Sequence, residues 1–188
     1  MISGSGQVHD ATSSTPLDVE AAFRRHRGDV ERWAARMGGP LVDAEDIAQE
    51  VMMVAYARLP EFRHEAQLTT WLFRTTQNIA ARHRRRERVR RWLCGMPLDY
   101  AAEVKASGPS VLEEMERREA AAEIYSALDR LADKYRSVVI LFEIEGLSGE
   151  EIASLTGMNL ATVWVHLHRG RQKLKARYRE LLEKRGER

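Results

Sequence analysis

The stretch from Ser148 to Leu174, SGEEIASLTGMNLATVWVHLHRGRQKL, constrains the fold of this chain more tightly than any other. Ser148 followed three residues later by Glu151 is a capping-box pattern, in which side chains and backbone at a helix start satisfy each other's orphan donors. Ile152 and Leu155 then face inward. Gly157 stands where a left-handed turn residue is wanted, and Asn159 just after it suits the cap of a second helix. That helix puts Leu160, Val163, Leu167, Gly170 and Leu174 on one side and leaves Ala161, Val165, His168, Arg169 and Gln172 outside. Trp164 and Arg171 flank one edge of the inward stripe, and His166 and Lys173 flank the other. The spacing of Ala153, Gly157 and Val163 predicts a helix-turn-helix, with a small residue for close crossing, a glycine for the turn and an aliphatic anchor on the second helix. No acid occurs on the second helix before Glu180, and a strip free of negative charge is what approach to phosphate demands. The alternative reading is an ordinary helical hairpin whose polar outer face is merely solvated.

The helical period extends through the rest of the chain. From Pro16 to Met37, Leu17, Val19, Ala22, Phe23, Val30 and Trp33 recur at helical spacing, and Gly38-Gly39-Pro40 stops that helix. In DAEDIAQEVMMVAYARLPEF, Asp43 caps a helix with Glu45 and Asp46 in its first turn, where the macrodipole favours acids, and Pro60 ends it. Ile47, Val51, Val54 and Tyr56, with Met52 nearby, spread apolar surface over much of this helix. Asp46, Gln49, Glu50 and Met53 share the remaining face. A short loop, RHEAQ, leads to a long helix whose inward stripe is Leu68, Trp71, Leu72, Thr75 and Ile79, while Arg74, Gln77, Asn78, Arg84, Arg85 and Arg88 project elsewhere. Trp71 reads as core rather than as a stacking platform.

From Leu93 to about Pro109 the periodicity fades into Gly, Pro and small residues, the composition of a linker. Helices resume with Ile124, Leu128, Leu131, Val138, Val139, Leu141 and Phe142 as core, and Gly146 marks a helix end. The expected fold is all-α, with a disordered tail over 1–15, a helical domain over 16–92, a flexible linker over 93–112 and a helix-turn-helix domain over 113–185. With 44% of residues hydrophobic and 31% charged, wholesale disorder is excluded.

The same residues exclude several functions. Cys94 stands alone, so no internal disulfide forms, and no apolar run approaches the roughly 20 residues of a membrane span. The first residues lack the layout of a secretory signal, which places the chain in a reducing cytoplasm without membrane insertion. His166 and His168 are two apart on a helix and send their rings in different directions, so no metal is expected there. Asp46 and Glu50 lie one turn apart, as in a metal-dependent nuclease, but no His or further acid completes such a site. No cofactor is expected.

Taken together, these motifs resemble extracytoplasmic-function (ECF) sigma factors. DAEDIAQEVMMVAYARLPEFRHEAQLTTWLFRTTQNIAARHRRR is similar to the family's region 2, with its acid, Gln-Glu, Pro-x-Phe and Thr-Trp-Leu landmarks in order. ALDRLADKYRSVVILFEIEGLSGEEIASLTGMNLATVWVHLHRGRQKL resembles region 4, with Gly-Leu-Ser, Glu-Ile-Ala, Thr-Val and Leu-His-Arg-x-Arg. The resemblance implies a transcription initiation subunit that binds core RNA polymerase, directs it to promoter DNA and helps open the duplex, with no catalysis of its own. It also implies a sequestering anti-sigma factor.

On this resemblance, Asp46, Gln49, Glu50 and Met53, with Asp43, dock on the polymerase. Arg74, Gln77, Asn78, Arg84, Arg85 and Arg88 follow the backbone near the −10 element. A loop from Arg63 to Thr70, including His64, Gln67 and Thr69, receives an unpaired base. Ala161, Thr162, Trp164, Val165, His168, Arg169, Arg171 and Lys173 face the −35 element. The chain departs from the family at Trp164, Val165 and His166, where members often carry Lys, Ser and Arg. Trp164 either packs against the preceding helix or lies over a sugar or thymine methyl, and Val165 suits a thymine methyl. Recognition of the −35 element is therefore expected to lean on His168, Arg169, Arg171 and Lys173 for anchoring, and on apolar contact and DNA shape for selectivity. A helix-turn-helix regulator acting without polymerase is the rival reading, and it leaves the region 2 likeness unexplained.

Overall fold

The computed structural model describes residues 19–58, 65–96 and 111–186, and every regular element among them is helical. The expectations for the tail, for Pro16, Leu17, Pro60, Arg63 and His64, and for residues 97–110 of the linker lie outside them. The described helices are α1 (Val19–Gly38), α2 (Ala44–Arg58), α3 (Glu65–Leu93), α4 (Val111–Leu128), α5 (Asp133–Val139, widening into a π-turn over Ile140–Ile144), α6 (Gly149–Thr156) and α7 (Leu160–Gly186).

In the first half, α1 buries Val30, Trp33, Ala34 and Met37 against Ile47, Ala48, Val51 and Ala55 of α2 and Leu68, Leu72, Phe73, Ile79 and Ala80 of α3. Trp33 meets Phe73 edge to face, with ring centroids 5.4 Å apart, the geometry the ring quadrupoles favour. The α1–α2 corner needs its glycines. A Cβ on Gly38 would lie 2.8 Å from Val42 and 2.9 Å from Ile47, and Gly39 turns the chain with φ at 74°. Asp43 caps α2 as expected, its Oδ1 accepting the Glu45 N–H at 2.7 Å.

Two expectations are corrected here. Phe73, absent from the predicted stripe, is fully buried. The helix also starts at Glu65 rather than Leu68, so Gln67, Thr69 and Thr70 sit in its first turns and not in a loop. An acid and an alanine at the start suit the positive helix end and the helical backbone, and they extend the helix upstream of its first core residue.

In the second half, Leu128, Leu131, Val138, Val139, Leu141, Ile152, Val163 and Leu167 are buried. Ile124 is not the core residue it was expected to be, because α4 turns Ala127 and Leu128 inward and leaves Ile124 43% exposed. After the π-turn, Gly146 takes φ of 70° and lets the Leu147 N–H reach back to the Leu141 carbonyl at 3.0 Å. The capping box is complete: Glu151 N–H donates to Ser148 Oγ and Ser148 N–H to the Glu151 carboxylate. Gly157 closes α6 at φ 65°, and the Asn159 side chain accepts the Ala161 N–H at 2.8 Å.

The two halves are in contact, with α3 lying on α5 and α6, and their buried side chains form one continuous cluster. Within the second half, α5 and α7 cross at Gly170, where a Cβ would lie 2.6 Å from Val139 Cγ2 and 3.3 Å from the Tyr135 carbonyl oxygen. Helix propensity alone favours alanine there by about 1 kcal/mol. Overpacking at a backbone contact reverses the sign, so Gly170→Ala is expected to lower stability by about 1–3 kcal/mol in denaturant unfolding, and a gain would contradict this crossing.

Candidate polymerase and nucleic-acid interfaces

The helix-turn-helix holds α7 with its outer face in solvent. Ala161, Thr162, Val165, His168, Arg169, Arg171 and Lys173 are exposed, while Val163, Leu167 and Gly170 are buried beneath them. Trp164 packs against the preceding helix, the first of its two readings. Its indole meets Phe142 at an interplanar angle of 67°, with ring centroids 5.9 Å apart. It also lies over Gly149, where a Cβ would be 2.6 Å from Trp164 Cζ2. Even so, Trp164 and Val165 each remain 45% exposed, side by side.

The cations around this apolar edge are positioned by neighbours. Arg171 pairs with Glu143 and lies 5.0 Å from the centre of the Phe142 ring. Arg169 hydrogen-bonds Tyr135 and, with Lys134 and Lys173 nearby, holds that phenol below its ordinary value. His166 sits edge-on to Tyr135 at 5.4 Å, and burial, followed by Lys134 and Arg169, pushes its pKa down. His168 instead pairs with Gln172 at 3.0 Å, so the two histidines have different neighbours. Among the described residues no group of three or more His, Cys, Asp and Glu is placed to hold a metal ion.

On α2, Asp46, Gln49 and Met53 share an exposed stripe that continues to Tyr56. Met53 is 74% exposed and Tyr56 69%, which gives the stripe apolar area beside its polar members. Tyr56 had been counted with the general apolar surface of the helix; its spacing of three from Met53 was the signal that places it here. Next to the stripe, a cleft of about 590 Å³ opens between α1 and α2, lined by Arg27, Glu31, Asp43, Glu45, Gln49 and Met52 among others. Glu50, partly exposed, is engaged by α3: its carboxylate accepts from Arg82 and contacts His83 Nε2 at 2.9 Å. The His83 hydrogen bond, then Arg82, holds its pKa below the ordinary carboxylate value against the opposing effect of burial.

The α3 face expected to meet DNA is turned toward the second half. Arg74 donates to the Thr156 carbonyl at 2.9 Å, Thr70 to the Ser154 carbonyl at 3.1 Å and Gln77 to the Asp133 carbonyl at 3.4 Å. Arg88 reaches the Asp129 carbonyl at 3.4 Å. Arg84 is 7% exposed, bonded to the Asp133 carboxylate and the Met37 carbonyl, and 3.4 Å from the Asp129 carboxylate. From the other half Arg136, 2% exposed, donates to the same Met37 carbonyl at 2.8 Å and lies 3.3 Å from Asp129. Burial, reinforced by Arg84, lowers its pKa to about 10, so it stays protonated at neutral pH. Asn78 and Arg85 remain exposed. The basic end of α3 is partly neutralised within itself, since Arg90 and Arg91 both pair with Glu87.

Comparison with known proteins follows the same division. The sigma-70 region 2 family matches residues 22–90 and the sigma-70 region 4 family matches residues 121–174. The chain is 36% identical over 171 residues to the ECF RNA polymerase sigma factor SigE of Mycolicibacterium smegmatis, covering 89% of this chain and 65% of that protein. It is 31% identical over 151 residues to the ECF RNA polymerase sigma factor SigW of Bacillus subtilis, covering 78% and 81%. Two solved structures share the fold. CnrH in complex with the cytosolic domain of CnrY has a TM-score of 0.53 at 24% identity, covering 84% of this chain and 85% of that one. The sigma factor RpoE in complex with the anti-sigma factor NepR from Bartonella quintana has a TM-score of 0.56 at 23% identity, covering 86% and 97%.

The Glu50 triad carries a pH dependence of definite sign. A carboxylate whose folded pKa is lowered stabilises the fold above its ordinary value, 4.5, and loses that contribution as pH falls through the lowered folded value. Carboxyl-carbon NMR titration is expected to show Glu50 titrating below that value, and rising toward it in His83→Ala. The same midpoint in both proteins would contradict the assignment.

Proposed function

The chain belongs to the extracytoplasmic-function RNA polymerase sigma factors, and from that membership we propose a division of labour among its three faces. The α2 stripe of Asp46, Gln49, Met53 and Tyr56, flanked by Asp43, docks on core RNA polymerase, with Glu50 beside it tying α2 to α3 through Arg82 and His83. Exposed apolar side chains supply the contact area, and the acids steer encounter and set register. The α3 face binds the −10 region through Thr69, Thr70, Arg74, Gln77, Asn78, Arg84, Arg85 and Arg88, and Arg63, His64 and Gln67 take part in holding an unpaired base.

For the −35 element, α7 enters the major groove. The observation that carries the reading is the outer face of α7, free of acids from Leu160 to Arg179 and set after a capping box and a left-handed glycine on α6. Arg169, His168, Lys173 and Arg171 anchor it to phosphate. Trp164, braced by Gly149 and Phe142, joins Val165 in an apolar edge with Ala161 and Thr162 beside it, suited to thymine methyl groups. The match of residues 22–90 to region 2 supports this reading over a helix-turn-helix regulator that works without polymerase.

The polymerase supplies the chemistry, and this chain acts in the cytoplasm as a non-catalytic initiation factor. No described helix is long and apolar enough to cross a membrane. The two solved relatives are each described with a protein partner, the cytosolic domain of CnrY in one case and the anti-sigma factor NepR in the other. By extension an anti-sigma factor sequesters this chain.

The assignment is tested on separate faces. Replacing Met53 and Tyr56 by alanine is expected to weaken binding to purified core polymerase by about 2 kcal/mol or more in total, as at interface hot spots. Arg169→Ala should cost about 1–3 kcal/mol in holoenzyme binding to promoter DNA and reduce the slope of log affinity against log salt by about 1. Trp164→Ala should leave that slope unchanged while relaxing discrimination for thymine. Core binding unchanged by the α2 substitutions, or a salt slope unchanged by Arg169→Ala, refutes the corresponding face.

A further inference from the structure

Two elements behind the reading helix converge on Trp164. The first is the π-turn that ends α5, where the Glu145 N–H reaches the Ile140 carbonyl at 3.0 Å, one residue further back than in an α-helix. Such widened turns occur often at functional sites. Phe142 of this turn meets the Trp164 indole edge to face and carries the Arg171 guanidinium 5.0 Å from its ring centre. Glu143, the next residue, accepts the Arg171 Nε–H, one of the five donors of that guanidinium. The indole and the cation, about two turns apart on α7, are thereby fastened to the same support. The second element is the start of α6. Gly149 is buried there, and a Cβ on it would lie 2.6, 3.0 and 3.1 Å from Cζ2, Cε2 and Cη2 of Trp164. Gly149 is not one of the glycines with positive φ, so the need for glycine is steric, and helix propensity alone favours alanine. Ser148 and Glu151 form the capping box without it.

We propose that Gly149 and Phe142 are specificity-determining positioning residues for the −35 element: they form the seat that sets the pose of the Trp164 indole, and so decide which thymine methyl it meets. The inference rests on the assignment of the apolar edge of α7 to thymine. An indole is one rigid plate and cannot yield to a Cβ by bending its far end. With an alanine at position 149 the whole ring leaves its seat, and its exposed portion moves with it. Attraction between carbon atoms fades within an ångström of optimal contact, so a small displacement removes the methyl preference. The charged anchors stay where they are. Glu143 fits the same arrangement, because a carboxylate 42% exposed beside the reading helix would repel phosphate if it were not neutralised by Arg171.

The test measures binding of holoenzyme, core polymerase with the full chain, to a promoter fragment that the holoenzyme has selected from a library. Each thymine of the −35 element is replaced in turn by deoxyuridine, which lacks only the methyl group. With the unsubstituted chain the replacement is expected to weaken binding about fourfold at one or two positions, the scale of one buried methyl-sized group. Gly149→Ala should abolish that difference between thymine and uracil, while the slope of log affinity against log salt, which counts phosphate contacts, stays as it was. Phe142→Leu removes the other wall of the seat, should do the same, and serves if Gly149→Ala fails to fold. Gly149→Ala combined with Trp164→Ala should match Trp164→Ala alone, because the added Cβ then has no ring to displace. A thymine preference that survives both Gly149→Ala and Phe142→Leu overturns the positioning role and leaves the thymine reading of α7 standing. No loss at any position with the unsubstituted chain overturns the thymine reading itself, and the proposal with it.

Discussion

Two arginines from opposite halves of the chain share one backbone oxygen. Arg84 of α3 and Arg136 of α5 both donate to the Met37 carbonyl at the end of α1, and both approach the Asp129 carboxylate, with Asp133 balancing the charge. Met37 is within the last turn of α1, where carbonyls have no partner inside the helix, so these guanidiniums satisfy acceptors the fold would otherwise strand. Burying them is costly, and the lowered pKa of Arg136 records that cost. A buried ionic group of this kind adds little net stability compared with apolar packing, but breaking it by removing one partner is strongly destabilising. It therefore works as a register device, setting where the second half sits on the first.

That junction was also the least legible part of the chain. The local elements could be read from residues in short range of each other: Asp43 at the head of α2, Ser148 with Glu151, Gly157, Asn159, and the Val163–Leu167–Gly170 stripe all occupy the positions their spacing predicted. Each is signalled by residues only a few positions apart in the sequence. Arg84, in contrast, is one arginine in a run, and nothing in its immediate neighbours separates it from Arg85. Its burial comes from carboxylates 45 and 49 positions away in sequence, a pairing fixed by how the halves meet. Ile124 and Phe73 were misplaced for a milder reason, since a wide apolar arc on a helix does not say which of two adjacent positions points fully inward. The start of α3 moved upstream because helix formers preceding the first core residue extend a helix without leaving an apolar signal.

The exposed surface divides by chemistry. On α2, Met53 and Tyr56 present apolar area framed by Asp46 and Gln49, the pattern of a protein interface. On α7, Trp164 and Val165 present apolar area framed by arginine, lysine and histidine, the pattern of a surface that meets a polyanion carrying methyl groups. Trp164 is held in place because Gly149 lacks a side chain, so the residue that opens α6 also shapes the edge of α7. The departure from the family's usual residues at this edge thus has a structural counterpart in the helix behind it.

The central claim is that this chain converts core RNA polymerase into a promoter-selective enzyme. Run-off transcription from a randomised promoter library, with purified core polymerase and the purified chain, tests it most directly. Initiation is expected to depend on the chain and to enrich templates with a shared pair of upstream elements, the −35 member rich in thymine at the positions facing Trp164 and Val165. Transcripts that are the same with and without the chain, or the absence of any enriched element, would contradict it.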